Sequence, residues 1–272
     1  MFQASKRQSL MHSALTLLDL IYHNSVRSVR QGHRDAVFAI ITSILQSVVM
    51  IAAFYMFMSV LGMRQLAIRG DFLLYVMSGI FVFMVHIKAL GAVAGAEGPT
   101  SPMMQHLPMN TTIAIWSAAL SALYTQIITM VFILAVYHLV WQPLENYNPI
   151  GAAGIILLAW FSGCCLGTVF LAAKPWAPQS VGVVQMIYLR FNMFASGKMF
   201  VANQMPAKMV ALFTWNPLFH IIDQGRGHIF VNYTPLKSNL TYPIVVSIIL
   251  LVIGLIGESY TRRHASLSWG AK

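Results

Sequence analysis

The sequence predicts an all-α polytopic membrane protein: six transmembrane helices, an amphipathic N-terminal interface helix, and an outer re-entrant helical hairpin before the last span. Three observations predict this. Of 272 residues, 58% are hydrophobic and 9% charged, against roughly 25% charged in soluble domains, and the mean hydropathy is +0.69. Apolar runs long enough to cross a bilayer, about 20 residues each, recur along the whole length. The third observation is a broken run between Gln185 and Phe230, interrupted by Arg190, Ser196-Gly197 and Pro206 and ending in Trp215-Asn216-Pro217, His220, Asp223, Arg226 and His228. Such an element is tolerated at membrane depth only where it is buried in protein or lines a watery cavity.

Taken in order, residues 9–34 come first. Leu10, Leu15, Leu17, Leu18, Ile21, Tyr22, Val26 and Val29 recur there at helical spacing, with polar residues opposite. That pattern predicts a helix lying in the membrane interface, with a partner-binding surface helix as the alternative. Arg27, Arg30 and Arg34 then meet anionic headgroups. No short apolar core precedes a cleavage site, so insertion is expected to rely on internal spans. The first span is expected at 36–61 and the second at 72–94, with His86 and Lys88 in its later half. Lys88 reads either as a snorkelling side chain or as part of a pathway.

Residues 95–110 are rich in Gly and Pro and break into short pieces. The third span, 111–140, is long enough to tilt. The fourth, 150–173, contains the run Ser162-Gly163-Cys164-Cys165-Leu166-Gly167, whose small residues permit close helix approach. Cys164 and Cys165 read as small core residues. The fifth span is expected at 181–200, the re-entrant hairpin at 201–230, and the last span at 242–260. Six spans put both termini on one side. The basic N- and C-terminal tails make that side cytoplasmic, which leaves Lys198 and Arg226 on the outer side.

The charge balance is strongly basic, with 17 Lys+Arg against 7 Asp+Glu and a formal net charge of +10. With cations scattered at span ends and in loops, this suits anionic headgroups or an anionic cargo, and no nucleic-acid role is expected. The sequence contains no Gly-rich nucleotide-binding loop, no metal-ligand spacing and no paired carboxylates within the spans. No catalytic residue and no metal ligand is assigned. Arg190, midway along the fifth span, costs about 2.5–3.5 kcal/mol to place in lipid, so it is expected against a partner, water or cargo. Aromatics such as Tyr188 on the same span could stack on sugar rings, core packing being the alternative.

A central arginine, then Ser196-Gly197, Pro206, Trp215-Asn216-Pro217-Leu218, His220 and Arg226, resembles the permease subunit of type 2 ABC exporters. The closest likeness is to the branch that exports capsular polysaccharide and related lipid-linked glycans. The layout of interface helix, two spans, loop, three spans, outer hairpin and final span extends the resemblance over nearly the whole chain. It implies an inner-membrane, multi-pass transport subunit that is not itself an enzyme, binds no cofactor, and works as a homodimer. ATP and magnesium would belong to a separate ATP-binding subunit. Lipid-linked polysaccharide would be the cargo, with periplasmic or outer-membrane export proteins as further partners. Substrate-path candidates are Arg190, Lys88, His86, Tyr188, Trp215, His220 and Arg226. Pro99, Pro102, Met103, Gln105 and His106 are candidates for coupling to the ATPase. Alternatives are a type 2 permease for O-antigen, teichoic acid, lipid or drug, and an integral-membrane glycosyl- or acyltransferase.

Overall fold

The computed structural model describes residues 19–21, 23, 25, 36–60, 62, 70–98, 111–143 and 148–264. Among them every regular element is helical. The long helices are α1 (Ala36–Val60), α2 (Phe72–Ala94), α3 (Thr111–Val140), α4 (Pro149–Ala173) and α5 (Pro178–Ala195). A 3-10 turn (Ala202–Gln204) and two short helices, α6 (Ala207–Phe213) and α7 (Pro217–Ile229), lead to α8 (Thr241–His264). Helix starts follow local chemistry. Asp71 and Asn148 cap α2 and α4 by accepting from Leu73 N and Gly151 N, and proline opens α4, α5 and α7.

Five of these helices, α1 to α4 and α8, are long and apolar enough to cross a membrane. The expected fifth span differs. Its helix is α5, of 18 residues, and it stops at Ala195, not Phe200. Ser196 caps it, and Gly197 then turns the chain at φ +71°, a conformation in which a Cβ is strained. Gln179, Gln185, Arg190 and Asn192 also lower its apolar character. The expected hairpin at 201–230 is a set of short helices, 7 residues in α6 and 13 in α7. Neither approaches the ~20 residues a crossing requires.

Helix α2 is the axis of the bundle. It packs against α1, α3, α4 and α7, and Tyr75 to His86 form an unbroken buried run. Lipid tails are as apolar as leucine, so close packing rather than transfer from water must hold such helices together. The small-residue run in α4 supplies it. A Cβ on Gly163 would strike the His86 carbonyl oxygen, and one on Gly167 would meet Val93 Cβ at 2.8 Å. On the other side of α4, Gly254 of α8 rides against Thr168. Trp176 Nε1 donates to Thr261 Oγ1 at 2.8 Å, and that hydroxyl donates to Ala172 O at 2.9 Å. Cys165 lies fully inside this seam and both cysteines are free. The N-terminal helix expectation falls mostly outside the described residues, as do Arg27, Arg30 and Arg34. Within the described part, Ser117 Oγ of α3 donates to Ile21 O at 3.3 Å.

The seam yields a paired expectation. Gly163→Ala forces backbone apart and should destabilise by about 1–3 kcal/mol, the usual range for overpacking. Gly154→Ala, where nothing lies within 4 Å, should be neutral or stabilising by up to about 1 kcal/mol. Thermal unfolding in detergent measures both.

Candidate functional site

The broken segment after α5 is where the sequence placed its chemistry, and each motif residue has a defined job there. Asn216 is 2% exposed. Its Oδ1 accepts from Leu218 N at 3.1 Å and so starts α7, while its Nδ2 donates to Asn192 Oδ1 at 2.8 Å and Ala195 O at 2.9 Å. One amide thereby caps a new helix and satisfies the carbonyl end of the previous one. Pro217 occupies the first turn, where its missing N–H is no loss. His220 takes a single tautomer. Asn239 N–H donates to Nδ1 at 3.1 Å, so Nε2–H donates to Thr214 O at 2.7 Å. The Trp215 ring is exposed, stands 5.5 Å from Phe191, and donates Nε1–H to Leu212 O at 2.7 Å.

Arg226 is the centre of the arrangement. It is 1% exposed. Nη1 donates to Phe200 O at 2.5 Å and Gly197 O at 3.3 Å, and Nη2 donates to Lys198 O. Its guanidinium carbon lies 4.2 Å from the Tyr75 ring centroid of α2. One turn earlier on α7, Asp223 accepts from Tyr233 O–H at 2.5 Å and Ser238 O–H at 2.6 Å. Helix α7 thus holds the chain before it through a cation and the chain after it through an anion. Asn203 joins the two arms, donating to Thr234 O at 2.7 Å and accepting from Leu236 N at 3.0 Å. Close to Asp223 the Tyr233 hydroxyl is harder to ionise, because burial and the neighbouring carboxylate both raise its pKa.

Lys198, expected on the outer side of the membrane, is buried within the protein at 2% exposed. Its Nζ stands 3.3 Å from the Phe83 ring centroid and 4.6 Å from that of Phe54, and it has no hydrogen-bond partner among the described residues. Gly79 makes room for this. A Cβ there would meet Lys198 Cβ at 3.0 Å and Arg226 Nη2 at 3.1 Å. Lys198, Arg226 and Asp223 are therefore packed along the first half of α2, from Tyr75 to Phe83. Burial draws the Lys198 pKa down to about 7, against which the two ring faces favour the charged form.

The remaining candidates separate into two groups. His86 and Tyr188 form a structural cross-link between helices. Ser162 gives its own proton to Ala159 O, so its oxygen accepts from His86 Nδ1–H at 2.8 Å, and Nε2 accepts from Tyr188 O–H at 2.9 Å. This chain ties α2, α4 and α5 together at full burial of the imidazole. Lys88 donates to Gln46 Oε1 of α1. Arg190 stands apart from all of them, exposed on α5. The face that α5 turns inward carries Tyr188, Asn192 and Ala195. The opposite face carries Val183, Ile187, Arg190 and Phe194 at i, i+4, i+7 and i+11 spacing, all exposed. Pro99, Pro102, Met103, Gln105 and His106 lie outside the described residues.

Lys198 sets a pH dependence. In the unfolded chain its amine titrates near 10.5, and in place near 7. Between those values the unfolded state binds more protons, so stability rises with pH, by at most about 1.4 kcal/mol per unit. Lys198→Met should flatten that rise in thermal unfolding measured from pH 7 to 10. An unchanged pH slope would contradict the assignment.

No family model matches the chain. Two polysialic acid transport proteins KpsM of Escherichia coli are similar to it, each 24% identical over 201 and 205 residues, or 73% of this chain and 76% of the relative. The similarity agrees with the motif and the long apolar helices. The chain is a multi-pass membrane protein similar to these polysialic acid transport proteins, and its resemblance to the capsular branch of type 2 ABC exporters holds.

Proposed function

We propose that the chain is the channel-forming permease of an ATP-driven exporter, moving an anionic, lipid-linked glycan across the cytoplasmic membrane. The observation that carries this reading is α5. It is held to its own bundle only along one side, and from Val183 to Phe194 the stripe it leaves free is apolar except for Arg190. An arginine facing hydrocarbon is penalised, whereas one facing a second copy across a watery gap is solvated and free to meet a passing anion. Two copies are therefore set α5 to α5, and the arginines line the path between them. The planar fork of the guanidinium suits phosphate or carboxylate. Phe191 and Phe194 flank it with aromatic surface.

In this arrangement α5 is the fifth of six crossings. Its 18 residues make about 27 Å of helix, close to the ~30 Å hydrocarbon core, and the turn at Ser196 brings it to the surface. Both termini are then cytoplasmic, and the short helices α6 and α7 cap the outer end of the path, dipping into the outer leaflet without crossing. The loop at 95–110 faces the cytoplasm, where it docks on a separate ATP-binding subunit. That subunit binds and hydrolyses ATP, while this chain supplies the path and moves in response.

Polymer export and protein level, measured together in cells, test the reading. Arg190→Lys keeps the charge and should retain substantial export. Arg190→Gln removes it and should lose most export at normal protein level. Wild-type export by Arg190→Gln would overturn the role of this arginine.

A further inference from the structure

A cavity of about 410 Å³ lies between α2, α3, α4 and α7. It is well above the roughly 150 Å³ that suffices for a dry apolar cavity to bind benzene. Its walls are Leu74 and Phe81 of α2, Met130 and Leu134 of α3, Ile155 of α4, and Gly225 of α7. The one hydroxyl on its wall, Ser78, already donates to Tyr75 O at 2.7 Å. Nothing inside can hold a water molecule, which needs two to four polar partners.

Four further observations bear on what fills it. The three long helices that line it are each apolar enough to span a membrane, so the surrounding medium is hydrocarbon. Ile127 and Leu157 of its wall are also exposed on the outer surface of the bundle, at 39% and 49%, which opens the cavity sideways to that medium. Its lining runs along α2 from Leu74 to Val82, about 12 Å of helix and most of the ~15 Å depth of one leaflet. At the end bounded by Pro149 and Ile229, Asn148 and His228 meet at 3.5 Å, so the polar groups sit where a headgroup would.

We infer that this cavity is a lipid site that takes one acyl chain of a bilayer phospholipid, entering between α3 and α4. The chain lies against Gly225, one residue before Arg226, and against Ile155, which a Cβ on Gly225 would meet at 3.0 Å. Lipid in this site therefore buttresses α7, the helix that holds the polar segment, and the inference does not depend on which polymer is exported.

The test uses the full chain in nanodiscs containing phosphatidylglycerol with a diazirine midway along one acyl chain. After irradiation, adducts are mapped by mass spectrometry. Peptides holding Ser78 to Val82, Ile127 to Leu134 and Ile155 should be labelled well above the lipid-facing side of α8 around Ile248 and Val252, which are exposed. Ala152→Phe narrows the cavity and should cut that labelling about tenfold, as 1.4 kcal/mol of exclusion would, with α8 labelling unchanged. Ala152→Leu gives a milder version that should cut it partly. Cavity labelling no higher than that of α8, or cavity labelling untouched by both substitutions, overturns the inference.

Discussion

A guanidinium that cannot reach water governs this structure. Arg226 is enclosed at the end of the bundle, where an unpaired cation would be prohibitively expensive. The fold answers with three backbone carbonyls, those of Gly197, Lys198 and Phe200, and the face of Tyr75. For those carbonyls to converge, the chain must leave α5 sharply. Gly197 allows this by taking φ +71° with Phe219 pressed against its hydrogen. The same turn ends α5 early and leaves its far side unpacked. The early stop of the fifth helix, the short helices that follow it and the burial of Lys198 are thus one arrangement.

Helix α7 works as a two-handed clamp. Arg226 grips the incoming strand of chain and Asp223 the outgoing one, three residues apart on one face. Between them the segment 197–240 closes on itself through Asn203, Gln224 and Ser238. Irregular backbone is tolerated near a bilayer where it is buried in protein or meets water, and here Arg226, Asn203 and Gln224 satisfy several of its carbonyls. These bonds tie the segment into one block at its end of the bundle, beside the weakly held α5.

Helix positions were legible from the sequence because apolar runs of span length and capping residues are local signals. The ends of α1, α2, α3 and α4 fall within a residue or so of expectation. The small-residue run in α4 also read correctly as a close-approach seam. The site was legible as a place but not as a geometry. Trp215, Asn216, His220 and Arg226 marked the right segment, yet all four bond backbone carbonyls, and a carbonyl leaves no trace in a sequence. Counting six spans put Lys198 on the outer side of the membrane but says nothing of its burial within the protein. The signal for that burial was Gly79, a glycine inside an apolar helix, which gives both Lys198 and Arg226 their room. His86 and Tyr188 read as path candidates, with core packing the alternative for Tyr188. Only packing shows that His86 of α2 bonds both Ser162 of α4 and Tyr188 of α5.

The most direct measurement is hydrogen exchange along the chain in wild type and in Arg226→Lys. An ammonium keeps the charge but cannot reach three diverging carbonyls with a planar fork. The account predicts faster exchange across 197–205 in the variant, spreading into α6, with α2, α4 and α8 unchanged. Exchange in 197–205 that stays at the wild-type rate would show that Arg226 does not hold this segment.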